Sequence, residues 1–300
     1  MSLETEEIKA RLSIIDVLGE YIRLERAGAN WRANCPFHNE KSPSFMVSED
    51  KQIWHCFGCQ KGGDVFGFVM EIEGLDFRGA LELLAEKAGV ELKKTNPVQA
   101  AQKNKTLDIL EMATKFYQAH LLQTASGKKI LEYLKDRGIN DESIKNFRLG
   151  YAPNGWTNTL DFLIKNGFAE QEIAKTGLLV ESQKSGGRRF YDRFRDRIMF
   201  PIADVNGKIV GYSARVAPGG DESQAKYVNT PETEVYHKSK ILYGISRAKG
   251  EIRQQKSVLL VEGNMDVIAA HQAGIKNTVA VSGTALTEEH LNIIKRYTDK

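Results

Sequence analysis

Charge of one sign is scarce in this 300-residue chain: 42 Lys and Arg stand against 39 Asp and Glu, a formal net charge of +3. Bulk charge therefore names no partner, and any nucleic-acid surface has to come from local clustering. No apolar run approaches the ~18 residues that cross a bilayer, so a membrane-spanning helix is excluded as the organising feature. The N-terminal stretch MSLETEEIKARL is acidic and amphipathic, without the basic start and apolar centre of a secretory signal. Cysteine is rarer still. Three residues, Cys35, Cys56 and Cys59, with two of them as C-x-x-C, do not make a disulfide framework and point to a reducing cytoplasm and to metal or redox chemistry. With 41% hydrophobic and 27% charged residues the composition is that of a globular protein, and the length suggests two or three domains.

The scarce cysteines are well placed. Cys35-x2-His38 is followed after 17 residues by Cys56-x2-Cys59. Each tight turn presents two ligands, and two such knuckles close a tetrahedral shell around Zn²⁺ with no open position, which is a structural site. The surrounding sheet is too small to bury much surface, so the ion supplies much of its folding energy. A redox reading of Cys56 and Cys59 lacks the βαβ context it needs. His55 is a rival ligand, but on a strand it points to the face opposite Cys56, so His38 is preferred. The same segment interleaves Trp31, Arg32, Phe37, Lys41, Phe45, Lys51, Trp54, Phe57 and Lys61. That mixture suits base stacking and phosphate pairing with single-stranded nucleic acid, or else builds the sheet's own core.

Helical spacing of Ile8, Leu12 and Ile15 predicts a first helix, and Ser13 with Asp16 a second running to about Leu24. SFMVS and QIWHCF read as strands. Two helices then follow, DVFGFVMEIEG and one starting at an N-cap on Asp76 and ending at Gly89. The polar stretch 94–106, containing Pro97, reads as an interdomain linker. Helices after Leu107 give way beyond Phe147 to turns and strands such as RIMFPIADV and KIVGYSARV. From Lys256 the order is strand, helix, strand, helix, with KSVLLVEG as a buried first strand, the signature of a parallel sheet.

Two further features carry chemistry. RRFYDRFRDR (residues 188–197) holds five arginines, and Arg148, Arg215, Lys226, Lys238 and Lys240 accompany it. Such a set lines a groove for a phosphate backbone or a triphosphate, or else forms a solvated face. Glu262 and Asp266 sit in LLVEGNMDV, at the carboxyl end of a parallel strand where such sheets bind ligands. Glu262 is a candidate Mg²⁺ ligand or general base, with Asp266 one helical turn on. Taken alone, a helix cap explains these acids as well. The turn Ser282, Gly283, Thr284 follows the second strand.

These motifs together resemble the bacterial DnaG-type primases. CPFHNEKSPSF, HCFGC and GGDVF are similar to the family's zinc-binding domain. LGYAPNGW, YDRFRDRIMFPI, GYSAR, KYVNTPET and LYG are similar to its basic polymerase subdomain, and VEGNMDV and SGTALT to the start of its TOPRIM subdomain. The resemblance implies an α+β multidomain fold: a zinc ribbon over residues 1–93, a linker at 94–106, a basic mixed α/β polymerase subdomain at 107–250, and at 251–300 the beginning of a TOPRIM sheet.

It further implies a DNA-dependent RNA polymerase that makes short primers on single-stranded DNA from ribonucleoside triphosphates, at the replication fork in the bacterial cytoplasm. Zn²⁺ would be held by Cys35, His38, Cys56 and Cys59. Catalytic Mg²⁺ or Mn²⁺ would be held by Glu262 with Asp266. Arg148, Arg195, Arg197, Arg215, Lys226 and Lys238 would contact nucleic acid and nucleotide. The implied partners are the replicative helicase, through a domain outside this chain, and a single-stranded DNA-binding protein. The family's Asp-x-Asp ligands are expected beyond Lys300, which would leave the metal cage of this piece incomplete. Three rivals are weighed against this one: a non-catalytic single-stranded DNA-binding module, a TOPRIM nuclease or topoisomerase-like enzyme, and a phage-like primase fused to a helicase, whose Walker A motif does not occur in these 300 residues.

Overall fold

A computed structural model describes residues 3–75, 77–92, 97–182, 190–220, 223, 225–281, 283 and 285–298, with the side chains of 97–100 left aside. The chain divides into two compact units, Met1–Thr95 and Asn96–Lys300.

The first unit opens with α1 (Leu3–Arg11) and α2 (Ile14–Gly19). Ser13 caps α2 as expected, its hydroxyl accepting the Ile15 N–H at 3.2 Å, but the helix stops at Gly19 rather than near Leu24. Five short strands follow: β1 (Glu25–Ala27), β2 (Asn30–Ala33), β3 (Phe45–Ser48), β4 (Ile53–Cys56) and β5 (Gly62–Gly63). They form one antiparallel sheet in sequence order. Helices α3 (Val65–Glu73) and α4 (Phe77–Ala88) complete the unit. Asp64 caps α3 through the Gly67 N–H at 2.9 Å, whereas the expected cap Asp76 lies outside the described residues.

Alternation along β3 and β4 sends Phe45, Val47, Trp54 and Cys56 to one face. There Phe45 and Trp54 stack at 5.0 Å, and Phe68 from α3 meets both edge-on. Phe37 joins the same cluster. Four of the aromatics that interleave with basic residues are thus half- or fully buried, and each fully buried ring stabilises the small core by about 2–3 kcal/mol. Ile53 and Phe57, on the other face, remain exposed.

The second unit begins with α5 (Pro97–Gln123), a correction to the expected linker: residues 97–106 are helical. Pro97 occupies the first helical position, where its missing N–H costs nothing, and Gln, Ala and Lys are good helix formers. Low hydrophobicity had hidden the helix, though Thr106 and Ile109 are buried. Then come α6 (Ala125–Asp136), α7 (Asp141–Asn146), β6 (Gly150–Ala152), α8 (Asn158–Lys165), α9 (Glu170–Lys175), β7 (Leu179–Glu181), β8 (Phe190–Asp192), β9 (Arg197–Ala203), β10 (Ile209–Val216) and β11 (Tyr227–Asn229).

β11, β10, β9 and β6 form an antiparallel sheet in that order, and β7 pairs with β8. Helix α5 lies directly on this sheet. A Cβ at Gly150 would come within 2.5 Å of the Tyr117 Cβ, so only glycine lets β6 approach the helix. Tyr212 of β10 reaches across to Thr114 at 2.9 Å.

The final segment is α10 (Ile245–Gln255), β12 (Leu259–Val261), α11 (Asn264–Gln272), β13 (Thr278–Ala280) and α12 (Glu288–Ile294). Residues 250 and 251, an expected domain boundary, both lie inside α10. β12 and β13 are parallel, as their strand–helix–strand order requires. The expectation of a buried first strand is corrected: Leu259 is 42% exposed. Among the described residues β12 pairs with β13 alone, so its other edge is uncovered.

Candidate functional site

The two cysteine knuckles converge. One ligand atom from each of Cys35, His38, Cys56 and Cys59 lies within 4.8 Å of the other three. Cys35 Sγ and Cys59 Sγ are 3.9 Å apart, and Cys56 Sγ and His38 Nδ1 are 3.8 Å apart. A tetrahedron with metal–sulfur bonds of about 2.3 Å has edges of about 3.8 Å, so the four residues fit one Zn²⁺ and leave no open position. His55 points to the opposite face, against Phe57 at 4.8 Å.

The thiols are not equivalent. Burial above all pushes Cys35 up to about 12, reinforced by Cys56 and Cys59 and opposed by the Phe37 N–H. Burial would also raise Cys56, but the Ser44 hydroxyl at 3.3 Å and the Cys59 N–H hold it below the ordinary thiol range. Cys56 is thus the readier thiolate, and metal uptake has to displace the proton of Cys35.

Sequence reasoning missed Glu40. Its half-buried carboxylate accepts the Cys35 N–H at 2.7 Å and the Ser44 N–H at 3.1 Å, both through Oε1. Its Oε2 meets the Ser44 hydroxyl and His38 Nε2, the latter at 3.2 Å. Burial pushes this carboxyl up, but those bonds outweigh it and hold the group low. A carboxylate two residues beyond a histidine ligand was the signal that could have found it.

In the second unit the carboxylate turn stands where strand β12 meets helix α11. Glu262 and Asp266 are both exposed. Asp266 accepts the Gly263 N–H at 3.1 Å and so caps α11. Tyr227 stands on β11, among the basic elements. It pairs with Arg215 across β10 and β11. Burial first raises its hydroxyl pKa, and the groups acting on it are Arg215, Tyr133, Asp266 and Arg137. Arg215 itself lies 5.3 Å over the Tyr133 ring. Gly283, past β13, faces Asn229 Nδ2 at 4.0 Å from where a Cβ would stand. Tyr133 and Arg137 are additions that no local motif announced, while Tyr227 and Asn229 lie in KYVNTPET without having been singled out.

The predicted basic residues part ways. Lys226, beside Tyr227, is exposed. Lys238 opens a short 3-10 turn fastened on both sides: Glu232 accepts its N–H at 2.8 Å, and its carbonyl meets His290 Nε2 at 3.2 Å. Arg195 lies 4.4 Å over the Trp156 ring and 5.3 Å over Tyr191, and Trp156 is 64% exposed. The sequence did not reveal this exposed ring backed by a cation.

Arg148 is instead gripped by both oxygens of Glu111, at 2.7 and 2.8 Å, with Gln118 at 3.3 Å. Arg197 is 3% exposed and donates to the Ala225 carbonyl at 3.0 Å and toward that of Ala214 at 3.4 Å. In both, tertiary partners occupy the donors expected to meet phosphate. Arg188 and Arg189, Ser282 and Thr284 lie outside the described residues. Among the described residues no helix is long and apolar enough to cross a membrane.

Comparison with known proteins agrees with this geometry. Residues 2–100 match the family model of the CHC2 zinc finger, residues 116–249 the DNA primase catalytic core, N-terminal domain, and residues 256–300 the Toprim domain. The chain is 43% identical over 296 residues to the DNA primase of Pseudomonas putida, covering 97% of this chain and 44% of that one. Among solved structures it resembles the zinc-binding and RNA polymerase domains of Aquifex aeolicus primase, at 34% identity and a TM-score of 0.60, over 99% of this chain and 71% of that one. A DnaG primase catalytic domain bound to ssDNA matches at 37% identity and a TM-score of 0.59, over 67% of this chain and 60% of that one. The chain spans a little under half the length of the curated relatives it matches.

Proposed function

The chain belongs to the bacterial DnaG-type DNA primases, and from that premise we propose that it forms the template-engaging and nucleotide-engaging part of an enzyme that makes short RNA primers on single-stranded DNA. The observation that carries this reading is the turn after β12, where Glu262 and Asp266 stand exposed at the carboxyl end of a parallel strand pair, the end of such a sheet where ligands bind.

In this reading Glu262 holds Mg²⁺ or Mn²⁺, which would supply charge stabilisation at the reacting phosphate. Asp266 keeps the α11 turn in place beside it. Arg215, Lys226 and Lys238 contact nucleotide or template phosphates. Arg195 with Trp156 stacks an unpaired base. Arg148 and Arg197 act as braces that hold the sheet and α5 together. The zinc ribbon presents Phe57, Ile53 and Arg32 toward template, while its buried rings hold its shape. The expected division into ribbon, polymerase subdomain and Toprim portion remains part of this proposal, with the ribbon ending near residue 93. So do the replicative helicase and a single-stranded DNA-binding protein as partners, and a place at the replication fork in the bacterial cytoplasm.

The test is RNA synthesis from NTPs on unprimed single-stranded DNA. It compares the 300-residue chain with a chimera that continues past Lys300 into the Pseudomonas putida primase sequence, and with the same chimera carrying Glu262→Gln. Short RNA from the unmutated chimera, and at least a 100-fold loss in Glu262→Gln, supports the reading. Salt-sensitive binding without RNA under Mg²⁺ or Mn²⁺ would favour a non-catalytic binding module. Strand cleavage without NTPs would favour a topoisomerase-like enzyme.

A further inference from the structure

We propose that Glu40 is a positioning residue of the zinc site, its two oxygens having separate tasks: Oε1 fastens the knuckle backbone, and Oε2 fixes the His38 ring so that Nδ1 faces the metal. The inference rests on the zinc reading of the ribbon.

Three observations carry it. Both backbone donors, Cys35 N–H and Ser44 N–H, converge on Oε1. Oε2 faces His38 Nε2 at 3.2 Å, which leaves Nδ1 as the nitrogen 3.8 Å from Cys56 Sγ. The ring is also wedged from behind: a Cβ at Gly58 would come within 2.5 Å of His38 Nε2 and 2.8 Å of Ser44 Oγ. A metal-bound histidine needs an acceptor on its other nitrogen to fix tautomer and orientation, and Glu40 is the acceptor present. Ser44 carries the link to the second knuckle, since its hydroxyl contacts Glu40 Oε2, Cys56 Sγ at 3.3 Å and the Gly58 N–H at 3.1 Å. Glu40 therefore ties together turns that are 15 or more residues apart.

Glu40→Gln separates the two tasks. Its amide oxygen can keep the two N–H bonds, while its NH₂ group cannot accept a proton from His38. In the 300-residue chain, zinc is competed with a chelator of known affinity, and the absorption spectrum of the Co²⁺-substituted chain is recorded. Glu40→Gln is expected to lose 10- to 100-fold in zinc affinity and to shift the Co²⁺ bands. At saturating zinc its ribbon should melt within a few degrees of the parent. Glu40→Ala should lower both affinity and melting temperature. Parental affinity and spectrum in Glu40→Gln would overturn the proposal, as would failure of Glu40→Gln to fold at saturating zinc. A parent chain that takes up no zinc would remove the zinc reading first, and the role of Glu40 with it.

Discussion

The zinc ribbon and the carboxylate turn proposed to hold a second metal are built in opposite ways. Around Cys56 the ligands are largely buried, converge within 4.8 Å, and are braced by a carboxylate and a hydroxyl. Around Glu262 the acids are exposed, one of them is spent on a helix cap, and no third acid joins them among the described residues. Under the proposed function, the difference follows from what each ion would do. A structural ion replaces a core that the short strands cannot supply, so its ligands are enclosed. An ion that works on a phosphate has to stay reachable, so its ligands stand at the open end of a sheet.

The sharpest way to break this contrast is to remove a ribbon ligand. Cys56→Ser should abolish tight zinc binding and unfold the first unit, because structural zinc contributes on the order of 10 kcal/mol. The second unit should keep its own melting transition. Scanning calorimetry with and without chelator reads both, and a ribbon that melts normally without zinc would show that its aromatic core suffices.

Asp192 tests whether burial marks a working acid. It is 1% exposed and accepts the N–H groups of Thr159 at 2.7 Å and Leu160 at 3.0 Å, so it caps α8 from another strand. Burial first, then Asp161, raises its pKa to about 6 despite those bonds. The folded state therefore keeps its proton to higher pH than the unfolded chain. Between about pH 4 and 6 its contribution falls as pH rises, and it is constant above that. Relative to Asp192→Asn, the parent second unit should lose about 2 kcal/mol from pH 4 to 7, read from melting at each pH. Equal pH slopes would refute the assignment. Among the described residues the most buried acid of the second unit is thus a scaffold group, and the exposed Glu262 is the one proposed to work.

The same contrast explains what the sequence makes legible. The zinc ligands lie within 25 residues, so spacing alone encodes their geometry. The ribbon strands and the βαβα order are equally local, set by periods of two and by strand–helix alternation. The fates of Arg148 and Arg197 are not local. Glu111 is 37 residues from Arg148, and the Ala225 carbonyl 28 residues from Arg197. No window of sequence contains both partners, so a basic run looks the same whether its guanidiniums meet phosphate or protein. The placement of Arg215 over the Tyr133 ring has the same tertiary origin. Residues 97–106 were hidden for a different reason, since a polar helix can look like a polar linker.

Binding of single strands should divide along the line drawn between exposed and committed groups. Trp156→Ala removes an exposed ring that Arg195 backs, and should weaken binding of a short oligonucleotide by about 1–2 kcal/mol, roughly tenfold. Arg197→Gln should lower the melting temperature more than it lowers affinity at fixed folded fraction. Fluorescence anisotropy over a salt series separates the two effects. An Arg197 variant that melts normally but loses affinity and salt dependence would return that arginine to the phosphate surface.

The smallest effect is the most discriminating for the carboxylate turn. Asp266 bonds the Gly263 N–H at 3.1 Å, so Asp266→Ala should cost about 1 kcal/mol of stability, as the loss of a helix cap does. Glu262 is exposed, and Glu262→Ala should change stability by less than about 0.5 kcal/mol. In the primase chimera the order reverses. Glu262→Ala should abolish RNA synthesis, while Asp266→Ala should act through the geometry of the turn and leave more activity. If Asp266→Ala proves as silent as Glu262→Ala, with stability intact, the aspartate is itself a metal ligand whose cap is incidental. If Glu262→Ala destabilises the fold while sparing activity, the strand-end carboxylate is a scaffold group like Asp192, and the reachable metal site has to be sought elsewhere.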